Sequence, residues 1–330
     1  EAGQVKPATY TTLLYSFIFL GGIVRGFYSP AGSALTGLLV PPAFYPKAAA
    51  YSSISWQTAA ILGPTAGGFL YAGVGPAGVQ GVVLACLLGG FFAMSFVDRK
   101  PPSAALVKGE SIFTSIREGM QFVRGQRLLL GAITLDMFSV FFGGVVALLP
   151  IFALDILNVG AQGLGMLRGA DAFGSVTSMV ILSQLGAFKK PWRSLLISVA
   201  AFGIAIIGFG LSTNFYLSLG WLVLVGCADG VSVVIRSTLI QTLTPNHMRG
   251  RVSSISSIFV SSSNEIGSFE SGFTARLMGT VPATLFGGAM TLGIVGFFSL
   301  FKTREMPTVA PSIIEAIQEA EREKEPPTAG

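Results

Sequence analysis

The chain has 330 residues; 51% are hydrophobic, only 11% are charged, and mean hydropathy is +0.69. Soluble domains carry about 25% charged residues, so this composition excludes them and leaves a polytopic, all-α membrane protein. The formal net charge of +5 is spread over one set of loops and gives no signal for a nucleic-acid partner.

Hydropathy predicts nine spans, written here by approximate residue numbers. A polar lead precedes the first, 10–40, which contains Arg25 near its centre. Pro41, Pro42, Pro46 and Lys47 form a loop. The second, 48–71, is followed by a tight turn at 73–78, and the third covers 79–97. A long polar stretch, 98–127, then interrupts the pattern. The fourth span is 128–151, and a link through Asp155 and Gly160 leads to the fifth, 163–185. The sixth is 194–211, Thr213 and Asn214 form a turn, and the seventh is 215–243. The eighth runs from 251 to 278, and the ninth ends near 301. Each has the ~20 residues that cross ~30 Å of hydrocarbon. Residues 305–330 are acidic and polar. They read as a mobile tail, although Ile313, Ile314 and Ile317 fit one face of a short helix.

The stretch 98–127 carries Arg99, Lys100, Lys108, Arg117, Arg124 and Arg127. Basic residues resist translocation and mark the cytoplasmic side. Lys47, this stretch, Lys189 with Lys190 and Arg193, Arg249 with Arg251, and Lys302 with Arg304 occupy alternate connections. The alternation places the N-terminus outside and the C-terminus inside. Ile112, Phe113, Ile116, Met120 and Val123 recur at helical spacing. They predict an amphipathic helix along the cytoplasmic surface of the protein or bilayer, as against a solvated linker.

An offset of 204 residues lays the first three spans on the last three. Pro41 falls on Pro245, and Lys47 on Arg251. Ser52, Ser53 and Ile54 fall on Ser256, Ser257 and Ile258. Gly63, Gly68 and Phe69 fall on Gly267, Gly272 and Phe273. Three more spans lie between the copies, so the repeating unit is six spans, a parallel repeat of the kind transporters use. The expected organisation is a three-helix remainder of an N-terminal bundle (1–97), an inter-bundle loop (98–127), a six-helix bundle (128–304) and a tail (305–330). About three spans, on the order of ninety residues, would then precede this chain in a complete protein.

Several motifs resemble the major facilitator superfamily, in the group that contains bacterial enterobactin and macrolide exporters. They are RGFYSPA at 25–31, ILGPTAGG at 61–68, LLPIFALDIL at 148–157, GLGMLRGADAFG at 163–174, PNHMRGRV at 245–252 and NEIGSFESG at 264–272. The resemblance covers helices four to twelve of the twelve-helix pattern. GPTAGG is similar to the family's antiporter motif, with Ala59 where that motif has an earlier glycine. Arg25 matches the arginine of the helix-four motif, with Ser29 in place of its usual glycine. The resemblance implies a multi-pass protein of the bacterial inner membrane and a role for Arg25 in proton coupling.

Charged residues inside spans are the candidate functional groups, because each costs about 2.5–3.5 kcal/mol to insert. Arg25, Asp136, Asp229, Arg236, Glu265 and Glu270 are the candidates for a substrate and proton cavity. Asp171 and Arg168, three apart, share a face and are expected to pair. Asp229 is the repeat counterpart of Arg25, and the two either meet at the cavity or stabilise packing within a bundle. Glu265 or Glu270 is either a proton carrier or the partner of Arg276 or Arg236. Gly63, Pro64, Gly67 and Gly68 serve geometry, a bend and a close helix approach. Arg249 and Arg251 are expected at a cytoplasmic gate, with His247 solvated. Cys86 and Cys227 read as core thiols.

No metal-ligand spacing, catalytic signature or Walker motif is present, so neither a cofactor nor an enzymatic role is expected. The expected function is secondary transport by alternating access: proton-coupled export of a small amphipathic molecule such as a drug, siderophore or metabolite. Its partners would be that molecule, protons and the bilayer. Import by the same fold, or a truncated product or scaffold that does not transport, are the alternatives.

Overall fold

Hydrocarbon offers no hydrogen-bond partner, so a chain this apolar must satisfy its backbone within helices. The computed structural model describes residues 11–13, 15–24, 45–97, 112–185, 188, 190–245 and 248–300, and among them every regular element is helical. In order these are α1 (Thr11–Val24), α2 (Tyr45–Ser95), α3 (Ile112–Gly125), α4 (Arg127–Phe142), α5 (Val145–Ile151), α6 (Gly160–Leu185), α7 (Pro191–Leu211), α8 (Phe215–Leu243), α9 (Arg249–Met278) and α10 (Thr280–Leu300). A π-helical turn, Phe152–Ile156, extends α5.

The described segments Leu62–Ser95, Arg127–Ile156, Pro191–Leu211, Phe215–Leu243 and Thr280–Leu300 are long and apolar enough to cross a membrane. α6 and α9, with 26 and 30 residues, are also long enough but carry more polar side chains. The protein is therefore a multi-pass membrane helix bundle.

Two boundaries differ from the sequence expectation. The turn at 73–78 contracts to a single break: α2 runs on through it, and Gly75 alone leaves helical geometry, at φ 69°. Glycine has no Cβ to clash there, so the expected tight turn narrows to one residue at which two helices meet. The fourth span is longer than expected and interrupted. α4 stops at Gly143 and Gly144, α5 restarts at Val145, and the π turn carries the helix to Ile156. Pro150 within α5 lacks the N–H that would continue an even ladder.

The chain packs as two units, residues 1–56 with 87–109 and residues 57–86 with 110–330. In the first, the described residues of α1 are exposed. The second holds three apolar clusters. Leu149, Phe152, Leu167, Ile206, Phe209 and Leu222 join α5, the π turn, α6, α7 and α8. Leu135, Leu195, Val199 and Ile235 join α4, α7 and α8. Val123, Leu129, Ile133, Ile240 and Val252 seat α3 on α4, α8 and α9. The expected amphipathic helix is thus present, with the Val123 side of its face on protein. Glu118 of α3 forms an ion pair with Arg251 of α9.

Glycines let the helices approach. A Cβ on Gly230 of α8 would lie 2.6 Å from the Ser175 carbonyl of α6. One on Gly68 of α2 would lie 2.6 Å from the Ala161 carbonyl and 3.0 Å from Gly165 Cα. Thr65 Oγ1 donates to the Gly165 carbonyl at 3.4 Å across the same crossing. At α8, Asn214 accepts from the Tyr216 and Leu217 amides at 2.9 and 3.1 Å, which ends the expected turn and starts the helix.

Candidate functional site

A cavity of about 200 Å³ lies inside the second unit. Every helix from α4 to α9 contributes to its lining, and the polar side chains come from four of them. Asp136 comes from α4, Asp171 from α6, Asp229 and Arg236 from α8, and Asn264 and Ser268 from α9. The fourth span breaks at this point, since Gly143, Gly144 and Val145 also line the cavity. Interrupted backbone at membrane depth is tolerated only where protein or a cavity receives its polar groups. Local bonds cover part of the break: Gly143 N–H reaches the Ser139 carbonyl at 2.8 Å, and the Val145 and Ala147 amides reach the Gly143 and Gly144 carbonyls at 2.7 and 3.1 Å.

Asp136 and Arg236 are buried, 3% and 7% exposed, and form an ion pair. Ser232, one turn before Arg236, donates its hydroxyl to Asp136 Oδ1 at 3.1 Å. A buried carboxylate needs such partners, because neither charge has water to fall back on. Asp229 and Asp171 line the same space, and Asp229 is within electrostatic reach of Asp136, Asp171 and Arg236. Among the described residues neither Asp171 nor Asp229 forms an ion pair or accepts a hydrogen bond.

α9 presents a polar face unusual for a membrane helix. Ser254, Ser257, Ser261, Asn264, Glu265 and Ser268 are exposed. Several donate back to their own helix. Ser254 Oγ reaches the Gly250 carbonyl at 2.9 Å, Asn264 Nδ2 the Val260 carbonyl at 3.0 Å, and Ser268 Oγ the Asn264 carbonyl at 2.7 Å. Glu270 is half-buried and lies 3.5 Å from the Thr274 hydroxyl.

The sequence profile of the family described as transmembrane secretion effector (MFS_3) matches residues 5–322. The chain belongs to this family of the major facilitator superfamily. It is 26% identical over 306 residues to enterobactin exporter EntS of Shigella flexneri, covering 90% of this chain and 72% of that one. It is 24% identical over 302 residues to enterobactin exporter EntS of Escherichia coli O1:K1, with the same coverage. Among solved structures, it is similar to a bacterial homolog of the human lysosomal transporter Spinster in an inward-facing, unoccupied conformation. That likeness has a TM-score of 0.51 and 14% identity and covers 91% of this chain and 76% of the other. The superfamily consists of transporters, so the protein is a transporter and not an enzyme.

Within this major facilitator protein, the candidates scatter in an informative way. Asp136, Asp229 and Arg236 come together on one cavity. Glu265 stands on the exposed polar face of α9, away from that cavity's wall, while its neighbour Asn264 lines it. The expected pairing of Asp171 with Arg168 is absent among the described residues: Arg168 is exposed and Asp171 turns to the cavity. Arg236 is partnered by Asp136 rather than by a glutamate of α9. Gly68 makes a close helix crossing, whereas a Cβ on Gly63 or Gly67 would meet nothing within 4 Å. Arg251 holds Glu118. Arg25 and His247, and the side chain of Arg249, lie outside the described residues. Sequence reasoning missed Asp171 as a cavity residue and Ser232 as the partner of Asp136. Both depend on which helix stands opposite, and local spacing carries no record of that.

Proposed function

We propose that the protein is a proton-coupled exporter of a small amphipathic molecule, working by alternating access in a bacterial inner membrane. The observation that carries this reading is the cavity of carboxylates inside the bundle, with Asp229 unpaired beside the buried Asp136–Arg236 pair. Charged groups at membrane depth are costly and are kept where they bind or move ions. Asp136 is engaged by Arg236 and Ser232. Asp229, like Asp171, is thereby free to take up and release a proton as the charges around it shift. The polar face of α9 supports the same reading, because exposed serines and Glu265 suit a hydrated path better than lipid. Export, rather than import, is supported by the secretion-effector family and by the exporter function named for the relatives. The six-plus-six organisation behind alternating access rests on the sequence repeat.

The test uses proteoliposomes holding an amphipathic dye, Nile red or ethidium, under an imposed pH gradient. Asp136→Asn, Asp229→Asn, Glu265→Gln and Glu270→Gln are compared singly. At least one, with Asp229→Asn foremost, should keep dye movement down its own gradient at saturating dye and lose movement driven by pH. Normal pH-driven movement in all four variants would place the proton site elsewhere. No pH-driven movement in the unaltered protein would end the proton-coupled reading.

A further inference from the structure

The charges on the cavity do not balance. Three carboxylates, Asp136, Asp171 and Asp229, face it with one guanidinium, Arg236. Arg236 is committed to Asp136, whose remaining hydrogen-bond capacity is partly taken by Ser232. Asp171 and Asp229 are left with no cationic partner among the described residues. Arg168, the nearest cation along α6, is exposed and away from the cavity wall.

Their placement is fixed by backbone. α6 and α8 pack glycine to backbone, with Gly226 against the Asp171 carbonyl and Gly230 against Ser175. Asp229 lies one helical turn from Gly226, so both carboxylates sit on helices that have no room to separate. An unpaired carboxylate at this depth is stable only with a proton or a cation on it. The volume bounds the size of that cation. Drug-sized ligands occupy roughly 300–1,000 Å³, and the cavity offers about 200 Å³, enough for a head group and not for a whole amphipath.

We propose that this cavity takes the cationic head group of the transported molecule, a protonated amine or an onium centre, between Asp171 and Asp229. This rests on the transporter reading and adds the substrate's charge and two residues that select it. Entry of the cation and loss of the carboxyl proton are then one exchange. The O–H bond of the carboxylic acid breaks, the proton passes to water, and the carboxylate keeps the electron pair and holds the cation. An anionic head group has no counter-charge to meet here, since the cavity's single guanidinium is already paired.

Two small tetrahedral ions of opposite charge, each able to enter the cavity whole, test the proposal: tetramethylphosphonium and tetrafluoroborate, measured by equilibrium dialysis against the protein in lipid nanodiscs, with empty nanodiscs as blank. The phosphonium should bind saturably and the borate should not. Asp171→Asn and Asp229→Asn should each weaken phosphonium binding at least about tenfold. Asp171→Glu, which keeps the charge, should retain binding even if the asparagine variant folds poorly, and Arg168→Gln should leave it unchanged. Equal binding of both ions, or unaltered affinity in both asparagine variants, overturns the proposal. Dye movement in the same nanodisc-tested protein, after reconstitution, separates the two readings. Nile red moved without any phosphonium binding removes the cation site and leaves the transporter. Phosphonium bound with no pH-driven dye movement keeps the cation site and removes the proton-coupled export reading.

Discussion

Arg236 reaches Asp136 across two helices, and both are shut away from water. Removing one member of such a pair strands the other, at a cost of about 3–5 kcal/mol. Asp136→Asn and Arg236→Gln should therefore each lower the thermal unfolding midpoint in detergent. The double variant should recover most of the loss, because two neutral amides fill similar space and Ser232 keeps an acceptor. A double variant as unstable as the worse single one would mean that the pair is not what holds α4 to α8. The sequence marked Asp136 and Arg236 as expensive charges inside spans, and that was legible because hydrophobic surroundings make a charge conspicuous. Their pairing was not legible. The sequence offered Arg236 glutamates on α9, and only the packing of α4 against α8 brings Asp136 within reach. Asp171 was misread for a related reason. A residue three positions away on the same helix is an obvious partner, but a helix crossing that turns Asp171 inward and Arg168 outward overrides it.

Five long helices, α6 to α10, have apolar patterns or glycine punctuation strong enough for their ends to be read closely. α8 begins at Phe215 and ends at Leu243, where hydropathy put them. The exceptions were places where the backbone changes course inside a continuous apolar run. Gly75 kinks α2 without a loop, and Gly143 and Gly144 interrupt the fourth span beside the cavity. The first was legible as a glycine-rich turn at 73–78, whereas the second alters no hydropathy and does not register in a pattern of apolar residues. The close crossing of α6 and α8 is likewise visible only once the helices are packed. Two glycines of α8 separate crossing from propensity. Gly230 faces Ser175 and Ser178 of α6, whereas a Cβ on Gly220 would meet nothing within 4 Å. Gly220→Ala should be neutral or stabilising, by up to about 1 kcal/mol of helix propensity. Gly230→Ala must push two backbones apart and should cost about 1–3 kcal/mol. Unfolding midpoints of the two variants in the same detergent give the comparison, and equal midpoints would refute the tight crossing.

At the scale of the whole molecule, the composition alone excluded soluble folds, and the motifs led to the major facilitator superfamily, which the family profile establishes. Orientation is a separate matter, carried by the alternation of basic connections. Lysine and arginine resist translocation, and the effect is strongest in short loops and within about 15–20 residues of a span. Residues 98–127 meet that condition with six basic residues between two spans, and the turn around Gly75 has none. The stretch should therefore be cytoplasmic and the turn should face outward. Single cysteines at Ser103 and Ala77 test this in a background where Cys86 and Cys227 are replaced by serine, since Cys86 is itself exposed. In intact cells, an impermeant maleimide should label Ala77→Cys and spare Ser103→Cys, and both should label once the membrane is opened. The reverse pattern would invert the molecule. It would also exchange the sides from which the cavity loads and releases, so that a proton gradient of the same sign would drive uptake where export is proposed.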